Sequence, residues 1–520
     1  MTVTVREAVL DLLRAFGMTT VFGNPGSTEL PMFRDFPEDF RYVLGLQEGI
    51  VVGMADGYAQ ATGRAALVNL HSAAGVGHAM GNVFTAYKNR TPLVITAGQQ
   101  ARSILPYEPF LFSREATELP KPYVKWSCEP ARAEDVPHAI ARAYYQAMQP
   151  PCGPTFVSIP VDDWDRHTTP LAPRRVSTAL RPDPALLAEA ADALGRARRP
   201  ALVVGAAIDR SGAGDLAVQL AERHQALVWV SPMSGRSSFP ERHPLFAGFL
   251  PAAQAAVAER LAGHDCVLAL GAPVFTYHTE GSGPFLPDGT TLFQITDEPE
   301  VAAWLPVGTS IQATLGLALA DLLARPAPPP RARPNGRPPP PRAEPGEPIP
   351  VAYLMQTLAE LRGADSVVVE EAPSSRTAMQ AYLPIEQPGA FHTCASGGLG
   401  HGLPAAIGVA LGRPGRRVIA LLGDGSAMYA IQGLWTAAQL GLPLAIIIVR
   451  NGRYEALHEF GRHFSLPAPV GTALPGMDFV ALAQGQGCEA MRVTRAEALA
   501  DALRHALQAK RPCLVEVATE

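Results

Sequence analysis

Residues 418–453, VIALLGDGSAMYAIQGLWTAAQLGLPLAIIIVRNGR, constrain the fold more than any other part of this chain. Val418–Leu422 is a short apolar run rich in branched residues, too brief for a buried helix, and it reads as a buried strand. Gly423-Asp424-Gly425-Ser426 interrupts it. Ala427–Leu440 then has helical spacing, with Ile431, Leu434, Trp435 and Ala438 on one face, until Gly441 and Pro443 stop it. Leu444–Val449 is a second apolar run and ends at Asn451-Gly452. Strand, helix and strand in this span make one parallel crossover unit.

In a parallel sheet Asp424 and Asn451 both fall at carboxyl ends of strands, beside a helix N-terminus. Oxygen ligands there suit a hard cation such as Mg²⁺, and backbone N–H groups suit phosphate. A GDG alone also fits a tight turn capped by Asp. The Asn-Gly at the matching end of the next strand is what favours a metal and a diphosphate.

With 520 residues the chain is too long for one core, and about three domains are expected. A hydrophobic fraction of 47% and a charged fraction of 18% describe a globular protein. The net charge of −5, with no basic stripe, argues against nucleic acid as a partner. No apolar run approaches the roughly 18 residues of a membrane span. The opening MTVTVREAVLDLLRAFG carries Arg6, Glu7, Asp11 and Arg14 among its apolar positions, so it reads as an amphipathic helix and not a signal peptide. The six cysteines are scattered with no CxxC, which speaks against a zinc site or a disulfide framework. A cytoplasmic location is the expectation.

Residues 1–180 alternate helical and strand patterns, as an α/β domain with a mainly parallel sheet does. Glu29–Phe33 is expected to open a helix after the turn at Gly23–Ser27. Residues 181–325 restart the alternation. The Gly205 and Gly271 turns there are not followed by GxGxxG, so a scaffold domain is expected and not a dinucleotide site. Residues 326–350 are about half proline and read as an extended, semi-rigid linker. Residues 351–520 form the third domain, and no repeat relates it to the first.

Glu48 begins a helix whose next turns are almost entirely apolar, so its carboxylate should be partnered or have a raised pKa. A helix-dipole carboxylate is the plainer alternative. Leu399 stands in Gly397-Gly398-Leu399-Gly400, where glycines permit close approach of backbone to a ligand.

Taken together, these stretches resemble thiamin-diphosphate enzymes, whose signature is GDG followed some 24–27 residues later by Asn-Asn. Arg450 stands at the first Asn, and Asn451 matches the second. The resemblance narrows to the benzoylformate decarboxylase family. It is carried by NPGSTELP at 24–31, NLHSAAG at 69–75, GAPVFTYH at 271–278 and GGLGHGLPAAIGV at 397–409, while GYAQATGR at 57–64 supports the wider resemblance to thiamin-diphosphate enzymes. It covers nearly the whole chain outside the linker.

What the resemblance implies is specific. The fold would be three doubly wound α/β domains: pyrimidine-binding, middle and diphosphate-binding. The cofactors would be thiamin diphosphate and Mg²⁺, with Ca²⁺ able to substitute and no FAD. Asp424, Asn451 and the main-chain oxygen of Arg453 would hold the metal. Glu48, Ser374, Gly397, Leu399, Gly423, Gly425, Ser426 and Tyr454 would contact the cofactor, with Glu48 bonding the pyrimidine ring and Leu399 as the wedge. Ser27, His71 and His278 match the family's active-site Ser and two His. The pocket wall would include Phe110, Leu111, Leu457 and Phe460. Thr393, His401 and Glu455 are departures, at positions where the family carries an aromatic residue, a Phe and a Gly.

The implied reaction is non-oxidative decarboxylation of benzoylformate to benzaldehyde and CO₂, through an ylide and an enamine of the cofactor, within aromatic catabolism (the mandelate pathway). The substrate would be a small aryl 2-oxo acid. Glu48 of one subunit would meet the diphosphate site of another, in a homodimer at minimum and a homotetramer by the resemblance. Two alternatives remain. One is another carboligase or decarboxylase of the superfamily, acetolactate-synthase-like or an aldehyde lyase. The other is a non-catalytic cofactor-binding homologue, supported only by Arg450, Arg453 and Glu455. Acetolactate synthases carry Gly-Pro-Gly where this chain has His71-Ser72-Ala73-Ala74-Gly75, which disfavours the first.

Overall fold

The computed structural model describes residues 2–520. Three six-stranded sheets organise them. The first holds β1 (Thr20–Gly23), β2 (Arg41–Leu44), β3 (Ala66–Leu70), β4 (Leu93–Gln99), β5 (Ser127–Cys128) and β6 (Thr155–Pro160). The second holds β7 (Pro200–Val204), β8 (Leu227–Val230), β9 (Phe246–Phe249), β10 (Cys266–Leu270), β11 (Thr291–Thr296) and β12 (Thr309–Gln312). The third holds β13 (Val367–Glu371), β14 (Phe391–Thr393), β15 (Val418–Gly423), β16 (Leu444–Arg450), β17 (Glu489–Val493) and β18 (Cys513–Ala518).

Strand order is β2-β1-β3-β4-β6-β5 in the first sheet and β14-β13-β15-β16-β18-β17 in the third, the same winding despite the lack of any sequence repeat. The second runs β9-β8-β7-β10-β11-β12. The central strands read as continuous apolar runs because both faces are covered. Val418–Leu422 and Leu444–Ile448 are wholly buried and pair in parallel register. These are three doubly wound parallel α/β domains.

Residues 177–342 with 384–392 form one compact unit, and the remaining described residues form the other. Residues 326–348 contain no helix or strand. The stretch is nonetheless anchored: the Arg331 guanidinium donates to the carbonyls of Leu194, Gly195, Ala197 and His224. It thereby satisfies the open C-terminal carbonyls of the helix Pro184–Arg196.

In the larger unit six helices matter for the site: α1 (Glu48–Thr62), α2 (Ser72–Lys88), α3 (Gly402–Gly412), α4 (Asp424–Met428), α5 (Gly433–Gln439) and α6 (Glu455–His463). Both α1 and α3 are apolar nearly all round, as helices buried on every side are. They touch almost backbone to backbone. A Cβ on Gly57 would lie 2.1 Å from the Ala405 carbonyl oxygen, and one on Gly408 would lie 1.9 Å from that of Met54.

Two expected helices differ. The span 427–440 is not one helix, because α4 and α5 are separated by tight turns. The amides of Tyr429, Ala430 and Gly433 bond three residues back, not four. Apolar residues three apart satisfy that tighter winding as well as an α-helix. Glu29–Phe33 is a 3₁₀ turn at Leu30–Phe33, since Pro31 lacks a donor and the Glu29 side chain is engaged elsewhere.

Candidate active site

The ends of β15 and β16 meet through Asp424. Its Oδ1 accepts from the Gly425 amide at 2.7 Å, and its Oδ2 accepts from the Gly452 amide at 2.7 Å. Burial pushes its carboxyl above the usual range, against those amides. Asn451 Oδ1 accepts from the Arg453 amide at 3.2 Å. The Tyr454 ring lies over Gly425, where a Cβ would come within 2.2 Å of it. Gly423 begins the turn and Ser426 is buried within α4.

Arg450 is the last residue of β16, and Asn451 begins the turn that follows it. The Arg450 Nη1 pairs with Glu516 on β18 at 3.1 Å, and Glu516 has no exposed surface. Arg453 pairs with Glu455 at 2.5 Å. The departures from the Asn-Asn pattern are thus engaged with carboxylates, and none of them bonds Asp424.

The glycine cluster lies beside this turn. Gly397 and Gly400 have φ of +73° and +95°, a region open to glycine but strained for other residues. Leu399 is half-buried between them. Glu371, the last residue of β13, accepts from the Gly400 amide at 2.6 Å and from the Gly402 amide at 2.5 Å. Burial lifts its pKa to about 7, against the Gly402 amide, the nearby His401 and the Gly400 amide. His401 is fully buried, with Nε2 2.5 Å from Asp56 Oδ2 on α1. Burial acts to raise the Asp56 carboxyl, but His401 and side-chain hydrogen bonds outweigh it and hold it below the usual range. Asn82 on α2 donates to both the Gly49 and Gly400 carbonyls, at 2.7 and 3.3 Å.

Glu48 opens α1 with its side chain mostly covered, and its Oε2 lies 3.2 Å from His78 Nδ1. Within the chain the carboxylate is thus partnered, by His78. His71 caps α2, and its Nδ1 lies 2.9 Å from Glu29 Oε2. Glu29 is 2% exposed and also accepts from the amides of Gly26 and Gly98 and from the Thr28 hydroxyl. The His71 ring packs on Gly26, next to an exposed Ser27. Ser72 has φ of +31° and a buried hydroxyl without a partner among the described residues, a strained backbone beside His71.

Not every expected residue joins this cluster. His278 belongs to the other compact unit, exposed after β10, with its amide bonded to the Ala252 carbonyl. Phe110 is 87% exposed, and Leu457 on α6 is 48% exposed. Leu111 and Phe460 are half-buried. Thr393 is buried, with its hydroxyl accepting from Arg376 at 2.8 Å. Ser374 is half-buried in a 3₁₀ turn after β13. Glu29, Asp56 and Glu371 were not singled out from sequence. The one local hint was a pair of acids, Glu370-Glu371, closing an otherwise apolar strand.

Comparison with known proteins agrees with the domain order. Residues 3–118 match the N-terminal TPP binding domain of thiamine pyrophosphate enzymes, 187–322 the central domain and 373–517 the C-terminal TPP binding domain. A benzoylformate decarboxylase of Pseudomonas aeruginosa is 48% identical, over 99% of this chain and 99% of its own length. The chain belongs to the benzoylformate decarboxylase family of thiamin-diphosphate-dependent enzymes. Among solved structures, a 4-hydroxybenzoylformate decarboxylase of Rhodococcus jostii RHA1 superposes with a TM-score of 0.97 at 43% identity, over 100% of this chain and 99% of that one. Benzoylformate decarboxylase from Polynucleobacter necessarius gives 0.97 at 41% identity, over 99% and 98%. An acetolactate synthase large subunit of Parasynechococcus marenigrum is 28% identical over 99% of this chain and 87% of its own.

The residues present fit what this decarboxylase family binds. The side-chain ligand atoms offered by Asp424 and Asn451 are oxygens, as a hard divalent cation requires, and among the described residues no cationic side chain is bonded to the buried Asp424 carboxyl. Nothing lies within 4 Å of a Cβ placed on Gly397, which leaves room over that backbone. No helix among the described residues is long and apolar enough to cross a membrane.

Proposed function

We propose that this chain decarboxylates an aryl 2-oxo acid, benzoylformate, to benzaldehyde and CO₂ without oxidation. Thiamin diphosphate, when bound, supplies a nucleophilic carbon and an electron sink. Asp424, Asn451 and the carbonyl of Arg453 would hold Mg²⁺, and Gly423, Gly425, Ser426, Ser374 and Tyr454 would border the diphosphate. The Gly397 carbonyl would receive the cofactor's exocyclic amine, and Leu399 would prop its two rings. Glu48 would hold a hydrogen bond to the pyrimidine ring of a cofactor bound to a second subunit, which makes a homodimer the smallest working unit and a homotetramer the proposed assembly.

The observation that carries the reading is the clasp of Glu29 on His71 Nδ1. With Nδ1 committed, Nε2 is the ring nitrogen available to hand a proton to the substrate's keto oxygen, and His pKa values lie near working pH. Ser27, beside it, would hold the substrate carboxylate. His278 would deliver the later proton that releases the aldehyde. Phe110, Leu111, Leu457 and Phe460 would border the aromatic ring, with Thr393 and His401 shaping the floor behind them.

CO₂ release from benzoylformate by the purified protein, with and without thiamin diphosphate and Mg²⁺, tests the reading. Cofactor-dependent release is expected. Turnover of pyruvate but not benzoylformate would overturn the substrate, in favour of an acetolactate-synthase-like carboligase.

A further inference from the structure

The loop bearing Leu399 is held from outside itself. Leu399 lies between glycines with positive φ, and such a segment has large conformational freedom unless something fixes it. Glu371 fixes it on the residues that follow. One carboxylate oxygen takes the Gly400 amide and the other takes the Gly402 amide. Carboxylate-to-amide bonds of this kind are short and strong, and they act here at 2% exposure, away from water. The fit is tight as well, since a Cβ on Gly402 would lie 2.7 Å from Glu371 Cβ. Two further contacts steady the same residues: Asn82 on the Gly400 carbonyl and Asp56 on the His401 ring.

Glu371 also stands in register with Leu422, two residues before Asp424. One residue therefore links the Leu399 loop, through its side chain, to the strand that ends in the proposed metal site, through its backbone pairing.

We propose that Glu371 is a positioning residue of this enzyme, whose two hydrogen bonds set where Leu399 stands against the bound cofactor. The inference rests on the reading of Leu399 as the prop between the cofactor's rings. Glutamine in its place would present an NH₂ to one of two amide donors and leave that donor unsatisfied in the interior. Aspartate would keep the charge but withdraw it by one methylene. Either change should let Leu399 drift, and proton loss from the cofactor's C2 carbon is sensitive to how the two rings are held.

The test is hydrogen–deuterium exchange at C2 of bound thiamin diphosphate, read by acid quench and proton NMR. It uses the full-length protein loaded with cofactor and Mg²⁺ at pH 8, where Glu371 is ionised. Glu371→Gln and Glu371→Asp should each slow exchange about tenfold or more at saturating cofactor, in variants whose far-ultraviolet circular dichroism shows them folded. Exchange at the wild-type rate in either folded variant would overturn the proposal. Should neither variant fold, the wild type decides: the Gly400 and Gly402 amides must be among the slowly exchanging amides of the apo protein, and rapid exchange at both would overturn it. No substrate enters the measurement. A failure to decarboxylate benzoylformate would therefore count against the substrate reading alone.

Discussion

Glu29 Oε2 sits 2.9 Å from His71 Nδ1, and the same carboxylate is already bonded to two backbone amides and a hydroxyl. Its orientation is thus set before the histidine arrives. A carboxylate held so firmly fixes the imidazole's ring plane and directs its Nδ1 proton, leaving Nε2 to react. Glu29→Gln should lower kcat/KM for benzoylformate about a hundredfold and alter its pH profile, measured by CO₂ release between pH 5 and 9. An unchanged profile would separate Glu29 from His71 in function.

Glu48 offers a contrast, since its carboxylate is paired with the exposed His78 imidazole. Glu48→Ala should nearly abolish turnover while leaving the far-ultraviolet circular dichroism unchanged. Near-normal turnover would refute its role at the pyrimidine ring.

Arg450 replaces an asparagine of the family signature but faces Glu516, which Arg492 also contacts at 3.0 Å. Arg450→Asn should leave thiamin diphosphate affinity within about twofold. It should cost about 1 to 3 kcal/mol of stability, because a buried carboxylate loses one of its two cations. Fluorescence titration of the cofactor and urea unfolding measure the two effects. A large gain in affinity would mean that Arg450 opposes the cofactor after all.

The Glu371 carboxyl, wholly buried, has its pKa raised from 4.5 to about 7. Between those values the folded protein keeps a proton that the unfolded chain has released. The unfolding free energy therefore falls as pH rises through this window, by about 3 kcal/mol from this group alone. Below the window the penalty is absent. Urea unfolding of the apo protein at pH 4.5 and 7.5 should show a larger loss in wild type than in Glu371→Gln. Equal losses would refute the raised pKa.

Gly408 faces the Met54 carbonyl at a spacing that admits no Cβ. Gly408→Ala should force α1 and α3 apart and cost about 2 kcal/mol or more, read as a lower midpoint in thermal unfolding. Gly485→Ala, where nothing lies within 4 Å of the added carbon, serves as the control and should be nearly neutral or stabilising.

Much of the fold was legible because buried parallel strands announce themselves as short branched apolar runs, and Val418–Leu422 and Leu444–Val449 are of that kind. The places of Asp424 and Asn451 just past the ends of β15 and β16 were legible in the same way. The split between α4 and α5 was hidden, because apolar residues three apart suit either winding. Glu371, Asp56 and Glu29 were hidden for a different reason. Their partners are 29, 345 and 42 residues away, and a side chain's role there is defined by a contact that local spacing does not encode. Arg450 looked damaging for the converse reason: adjacency in the motif concealed its engagement with Glu516 on β18, distant in the sequence.

The backbone contact of α1 with α3 has a consequence for how this protein could acquire new substrates. Side-chain layers between elements can be recut by mutation, one methylene at a time. Here the two helices have no such layer where Gly57 meets Ala405 and Gly408 meets Met54, so there is nothing to recut. If the proposed pocket wall is right, divergence in substrate range would instead come from the more exposed chain around Phe110 and Leu457, while the frame that carries Glu48 and follows Leu399 has little room to change.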